Sequence, residues 1–98
     1  MALGNTDVAI GVDSSAGGAG SVALGQIARA VRGNGIAIGF NAQADDDNAI
    51  VIGSSASAPQ GFGEAAVAIG RSARVFGDRA VAIGETAFGS GTFAAVGG

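Results

Sequence analysis

The chain has 98 residues, of which 19 are Gly and 48% are hydrophobic, with only 13% charged and a formal net charge of -3. A single compact core of that size is marginal without repetition or association, and eight acidic residues against five Arg exclude the basic footprint of a nucleic-acid binder. Cys and His are absent, which removes disulfides, thiolate metal sites and the commonest general base.

Read from the N-terminus, the first ten residues carry neither a basic region nor a continuous apolar stretch, so they do not form a secretory signal. No run of about 18 apolar residues follows anywhere, so no spanning helix is expected and no insertion of this segment into a membrane. What does follow is a short unit that recurs along the chain: Val8-Ala9-Ile10-Gly11, Val22-Ala23-Leu24-Gly25, Ile36-Ala37-Ile38-Gly39, Ile50-Val51-Ile52-Gly53, Val67-Ala68-Ile69-Gly70 and Val81-Ala82-Ile83-Gly84. The closing glycines are spaced 14, 14, 14, 17 and 14 residues apart, the mark of a repeat architecture.

After each glycine, small residues alternate with polar ones. Three positions on stand Ser14, Ala28, Ala42, Ala56, Ala73 and Ala87, and five positions on stand Ala16, Ala30, Ala44, Ala58, Val75 and Gly89. That alternation predicts a second strand with a water-facing side. Each coil therefore reads as strand, Gly corner, strand and turn, in turns rich in Gly, Asn and Asp, which accept positive φ. Six such coils stacked at about 4.8 Å give a parallel β-solenoid roughly 30 Å long. The interior must be narrow, since the chain holds no Trp or Tyr.

The first strand is apolar on both faces, which requires cover on both. The Val and Ile positions are expected to fill the roll's own core. The opposite column, Ala9, Ala23, Ala37, Val51, Ala68 and Ala82, is then expected to pack against copies of itself in a symmetric oligomer.

Several motifs dissolve on inspection. Gly18 to Ala23, Gly61 to Ala66 and Gly89 to Ala94 match Gly-x-Gly-x-x-Ala, but no helical period follows any of them, as a dinucleotide site requires. Without Lys there is no Walker-type phosphate loop. Asp45-Asp46-Asp47-Asn48 lacks the alternating spacing that converges oxygens on Ca²⁺ and reads as a solvated turn. No catalytic constellation, cofactor or metal is expected, and the chain is not read as an enzyme.

Two Arg groups, Arg29 with Arg32 and Arg71 with Arg74 and Arg79, with Asp78 and Glu85 near the second, read first as surface ion pairs and alternatively as contacts to acidic glycans or an acidic host protein. The 17-residue interval puts Phe62 in a longer turn, and insertions in repeats often fall on the binding face. Phe62, Arg29, Arg32, Arg71 and Arg74 are the ligand-contact candidates. Phe62 reads either as an aromatic anchor for a ligand or, by preference, as a plug over a neighbouring subunit, and Phe88 and Phe93 read as part of the last coil.

Asn34 to Gly39 and Asn48 to Gly53 resemble the head repeat of the YadA-like trimeric autotransporter adhesins, close to Asn-Ser-Val-Ala-Ile-Gly followed by alternating small residues. Gly35 and Ala49 stand where that pattern has Ser. The resemblance runs from Asp7 to Gly89. It implies a left-handed parallel β-roll, homotrimeric, all-β throughout, and part of a non-enzymatic head that attaches to host cells, extracellular matrix proteins or glycans. It also implies a place at the bacterial cell surface, anchored in the outer membrane by regions outside this chain. Residues 1–98 then form one head segment of a longer fibrous protein, without the family's neck, heptad stalk or barrel. The other context for such repeats is the distal or spacer part of a phage tail fibre.

Overall fold

The structure is a computed structural model, and it describes residues 7–59, 65–77 and 79–89 together with the backbone of strand 94–96. The strands in chain order are β1 (Val8–Ile10), β2 (Ser15–Ala16), β3 (Val22–Leu24), β4 (Arg29–Ala30), β5 (Ile36–Ile38), β6 (Gln43–Ala44) and β7 (Ile50–Ile52), then β8 (Ser57–Ala58), β9 (Val67–Ile69), β10 (Arg74–Val75), β11 (Val81–Ile83), β12 (Phe88–Gly89) and β13 (Ala94–Val96). Odd-numbered strands form one seven-stranded sheet and even-numbered strands a six-stranded one, each in simple sequence order. Every pairing is parallel, and each residue meets its counterpart one repeat away: Val22 with Ile36, Ala23 with Ala37, Leu24 with Ile38. The result is an all-strand β-solenoid with a repeat near 14 residues, extending 33 × 20 × 14 Å.

Two tight turns close each coil. After β1, Ser14 N–H donates to the Gly11 carbonyl, and before β3, Ser21 N–H donates to the Gly18 carbonyl. The third residue of each turn has positive φ: Asp13, Ile27, Asn41, Ser55, Ser72 and Thr86 in the first set, and Gly20, Asn34, Asn48, Ala65 and Arg79 in the second. The inter-coil ladder does not stop at these corners. Gly39 N–H donates to Leu24 O at 2.8 Å and Asn41 N–H to Gln26 O at 2.9 Å, so the polar backbone of the corners is satisfied by the coil below.

The 17-residue interval leaves the stack intact. Ile50 still pairs with Val67 and Val51 with Ala68, and Ser57 with Arg74. The extra length is taken up in the corner between β8 and β9, where Ala65 N–H already donates to Asp47 O at 2.9 Å. Phe62 and Phe93 lie outside the described residues.

The core is built almost wholly of methyl groups. Of the eighteen buried apolar side chains among the described residues, sixteen are Ala and two, Val51 and Val75, are Val. Ala23, Ala37, Val51, Ala68 and Ala82 point inward from the seven-stranded sheet, toward Ala16, Ala30, Ala44, Ala58 and Val75 from the other; all are 0% exposed. Ala28, Ala42, Ala56 and Ala73 fill one margin, and Ser21, Ala49, Ala66 and Ala80 the other. The Ser21 hydroxyl is buried there without a hydrogen-bond partner among the described residues.

Two positions show how tightly the coils sit. A Cβ added to Gly39, at φ +128°, would lie 2.8 Å from the carbonyl carbon and oxygen of Gly53. Gly39→Ala therefore combines a strained backbone with a collision against backbone that cannot yield, and is expected to cost more than about 2 kcal/mol. Ile27 holds φ 64°, a conformation that costs a β-branched residue about 1–2 kcal/mol, and its side chain is exposed. Ile27→Asn, which copies Asn41 one coil on, is expected to raise stability by about 1 kcal/mol. Thermal melts followed by circular dichroism check both, and a lower melting point for Ile27→Asn would contradict the strain argument.

Candidate functional site

The two sheets turn different chemistry outward. On the seven-stranded sheet, the residues flanking each inward Ala form two aliphatic columns: Val8, Val22, Ile36, Ile50, Val67 and Val81, beside Ile10, Leu24, Ile38, Ile52, Ile69 and Ile83. Their inner members are partly buried by their neighbours, and at the ends Ile10 is 64% and Ile83 36% exposed. They shield one another along the columns, and no described strand is layered over them.

This arrangement corrects the direction expected for the first strand. Ala23, Ala37, Val51, Ala68 and Ala82 are wholly buried within a single chain, and Ala9 packs partly buried against the same core. They are core residues and do not form a face open to another copy. The reason is thickness: the opposing strand also presents Ala, and a coil closed by two tight turns leaves room between its sheets for methyls and the occasional Val. The larger side chains must go outside.

The six-stranded sheet presents a polar column, Ser15, Arg29, Gln43, Ser57, Arg74 and Phe88, in continuous register. Arg29 reaches one coil up, its Nε and Nη2 donating to the two carboxylate oxygens of Asp45 at 3.1 and 2.8 Å. The hydrogen bond to Asp45 pushes the Arg29 pKa up, against a smaller opposing effect of burial; this cation keeps its charge at any working pH. Arg71 pairs with Glu85 across adjacent coils at an exposed site, the kind of contact expected from the second Arg group. Arg32 lies exposed in a corner. Asp78 lies outside the described residues.

Arg74 is arranged differently. Its guanidinium stands 5.1 Å from the centroid of the Phe76 ring, and Phe76 meets Phe88 edge to face at 5.1 Å. Among the described residues Arg74 forms no salt bridge. It closes one end of an open groove of about 340 Å³ lined by Asn41, Gln43, Ser55, Ser57, Ser72 and Arg74. Gln43 Nε2 donates to Asn41 Oδ1 at 3.1 Å across its floor.

The acidic run does not converge. Asp45 faces Arg29, the Asp46 carboxylate accepts from the Asp47 amide at 2.9 Å, and Asp47 Oδ1 accepts from the Gly33 amide at 3.2 Å. Asp7 Oδ1 accepts likewise from Ser21 N–H at 3.1 Å. Asp7 and Asp47 thus fasten one coil to the next through corner amides, while Asp46 bonds within its own turn. Gly18 to Ala23 runs from a corner straight into β3, with no helix N-terminus to meet a phosphate.

The family model for the YadA head domain repeat, which spans two copies of the repeat, matches residues 2–26, 33–56 and 63–84. The chain belongs to the YadA head repeat family. No curated protein matches it. The matched segments cover every described strand of the seven-stranded sheet up to β11, so the repeated Val-Ala-Ile-Gly unit that puts Ala inside and Val and Ile outside lies within the matched residues. Among the described residues, no helix is long and apolar enough to cross a membrane.

Ala37→Arg tests which way the first strand faces. It places a charge in a closed methyl core, so strand content by far-UV circular dichroism is expected to collapse. Retention of native strand content would return the Ala column to the surface.

Proposed function

We propose that this chain is a rigid, non-enzymatic head segment of a trimeric adhesin on the bacterial surface, and that it trimerises through the aliphatic face of the seven-stranded sheet. The observation that carries the reading is that the roll is already closed around its Ala core while two columns of Val, Leu and Ile remain outside. Covering the exposed remainder of each aliphatic side chain contributes up to about 1 kcal/mol, and repeated over two columns and six coils that sum is comparable to what an all-Ala core supplies. A continuous stripe of this kind left in water would be an aggregation site. Membership of the YadA head repeat family favours three copies over two.

In such a trimer the six-stranded sheets face outward and repeat each polar contact three times. Weak individual contacts to host cells or extracellular matrix then add by multivalency, and the stiffness of a stacked solenoid holds them in fixed register. Other regions of the parent protein would anchor it in the outer membrane.

Sedimentation equilibrium is expected to give a mass near three times 9.2 kDa. Ile38→Arg, on the aliphatic face, should reduce it to that of one chain, and Ser57→Arg, on the polar face, should leave it unchanged. Beads coated with the native trimer should be retained on a matrix-coated surface and beads coated with Ile38→Arg released. A monomeric native chain, or a trimer indifferent to Ile38→Arg, contradicts this assembly.

A further inference from the structure

The groove on the six-stranded sheet has a composition that selects among ligands. Among the described residues its lining offers two amides, three hydroxyls and one guanidinium, with no carboxylate and no aliphatic side chain. A cation would find no anionic ligand there, and an apolar peptide no pocket. A lone Arg in a chain of net charge -3 is too little to hold a nucleic-acid backbone. The strand edges beneath are already engaged by the coils on either side, so no extended peptide can add to the sheet through this face.

Amides and hydroxyls both donate and accept hydrogen bonds, which suits a ligand carrying many hydroxyls. They are arranged as two ladders, Asn41-Ser55-Ser72 and Gln43-Ser57-Arg74, each contributing one residue from three successive coils. The ladders repeat at the strand spacing of about 4.8 Å along the roll axis, roughly one pyranose ring per coil. At the far end, Phe88 follows Arg74 in the same column, half exposed at 50% and braced by Phe76. At the near end, Arg29 is held by Asp45, which leaves Arg74 as the groove's available positive charge.

We infer that this groove binds a linear, carboxylate-bearing glycan of the uronic-acid class, lying along the roll axis. Arg74 pairs with a carboxylate through its planar fork. Asn41, Gln43, Ser55, Ser57 and Ser72 exchange hydrogen bonds with ring hydroxyls, and the exposed Phe88 ring meets an apolar sugar face. The inference rests on the adhesive reading above and names its ligand class. The groove lies on the sheet opposite the aliphatic columns, so trimerisation leaves it open three times over.

The test is titration of a hyaluronan tetrasaccharide into the isotope-labelled native chain, followed by amide chemical shifts. Shifts are expected at residues 41–43, 55–57, 72–76 and 88, with affinity falling as salt rises. Arg74→Gln, at an exposed position, should keep the native circular dichroism and weaken binding by about tenfold. Chitotetraose, an uncharged glycan of the same length, should bind native protein about as weakly as hyaluronan binds the variant. Absence of shifts at millimolar glycan, shifts on another face, or equal affinity for Arg74→Gln or chitotetraose would each overturn the assignment. If bead retention on matrix survives while glycan binding is absent, the adhesive reading stands and only the ligand class falls.

Discussion

The thickness of the coil is the constraint from which the rest of the molecule follows. Each coil has two short strands joined by two turns, and each turn needs a residue at positive φ and, after the first strand, a glycine whose Cα touches the backbone of the next coil. Sheets closed that tightly admit methyl groups between them and little more, so Ala occupies sixteen of the eighteen buried apolar positions among the described residues. A core of methyls is thin in hydrophobic energy, at about 0.8 kcal/mol per buried carbon. Much of the cohesion comes instead from the backbone ladder, which continues through strands and corners alike among the described residues and loses a rung at Pro59, which has no N–H.

Because the interior takes only the smallest side chains, the large aliphatic residues are displaced to the outer surface of one sheet. The polar and charged residues are left to the outer surface of the other. One polypeptide thereby carries two opposite faces of different chemistry without any long loop or second layer. Association and recognition can be changed independently: substitutions in the Val and Ile columns act on assembly, and those in the Ser15 to Phe88 column act on what the assembled rod meets. The carboxylates Asp7 and Asp47, each accepting from a corner amide of a neighbouring coil, belong to neither face and serve the stack.

Period, strand order, parallel pairing and the water-facing column of the second strand were all legible in the sequence, because equal spacing of Gly11, Gly25, Gly39 and Gly53 leaves one way to stack the coils. The facing of the first strand was not. Alternation in Val-Ala-Ile says that the residues point to opposite sides and does not say which side is inside. Volume decides it, and the signal was present: a narrow interior, already implied by the absence of Trp and Tyr, has room for Ala37 and none for Ile36 and Ile38. The Arg groups were legible as surface residues, and Glu85 as a neighbour of Arg71, but the bond from Arg29 to Asp45 crosses coils at a separation of 16 residues and needs the register to be seen. Asn41, Ser55 and Ser72 beside Gln43, Ser57 and Arg74 were legible as a polar, water-facing side, but that their side chains enclose a groove depends on their placement in space.

The chain contains no Cys, which allows a spin label to be placed at a single chosen position, and the most direct test of the account compares Ile38→Cys with Ser57→Cys by electron paramagnetic resonance. Labels at position 38 should lie near the axis of the assembly and show strong dipolar broadening that vanishes on dilution with unlabelled chain, while labels at position 57 should show narrow, isolated spectra. Broadening at 57 and not at 38, or at neither, would mean that the aliphatic face is not the surface through which these rolls meet.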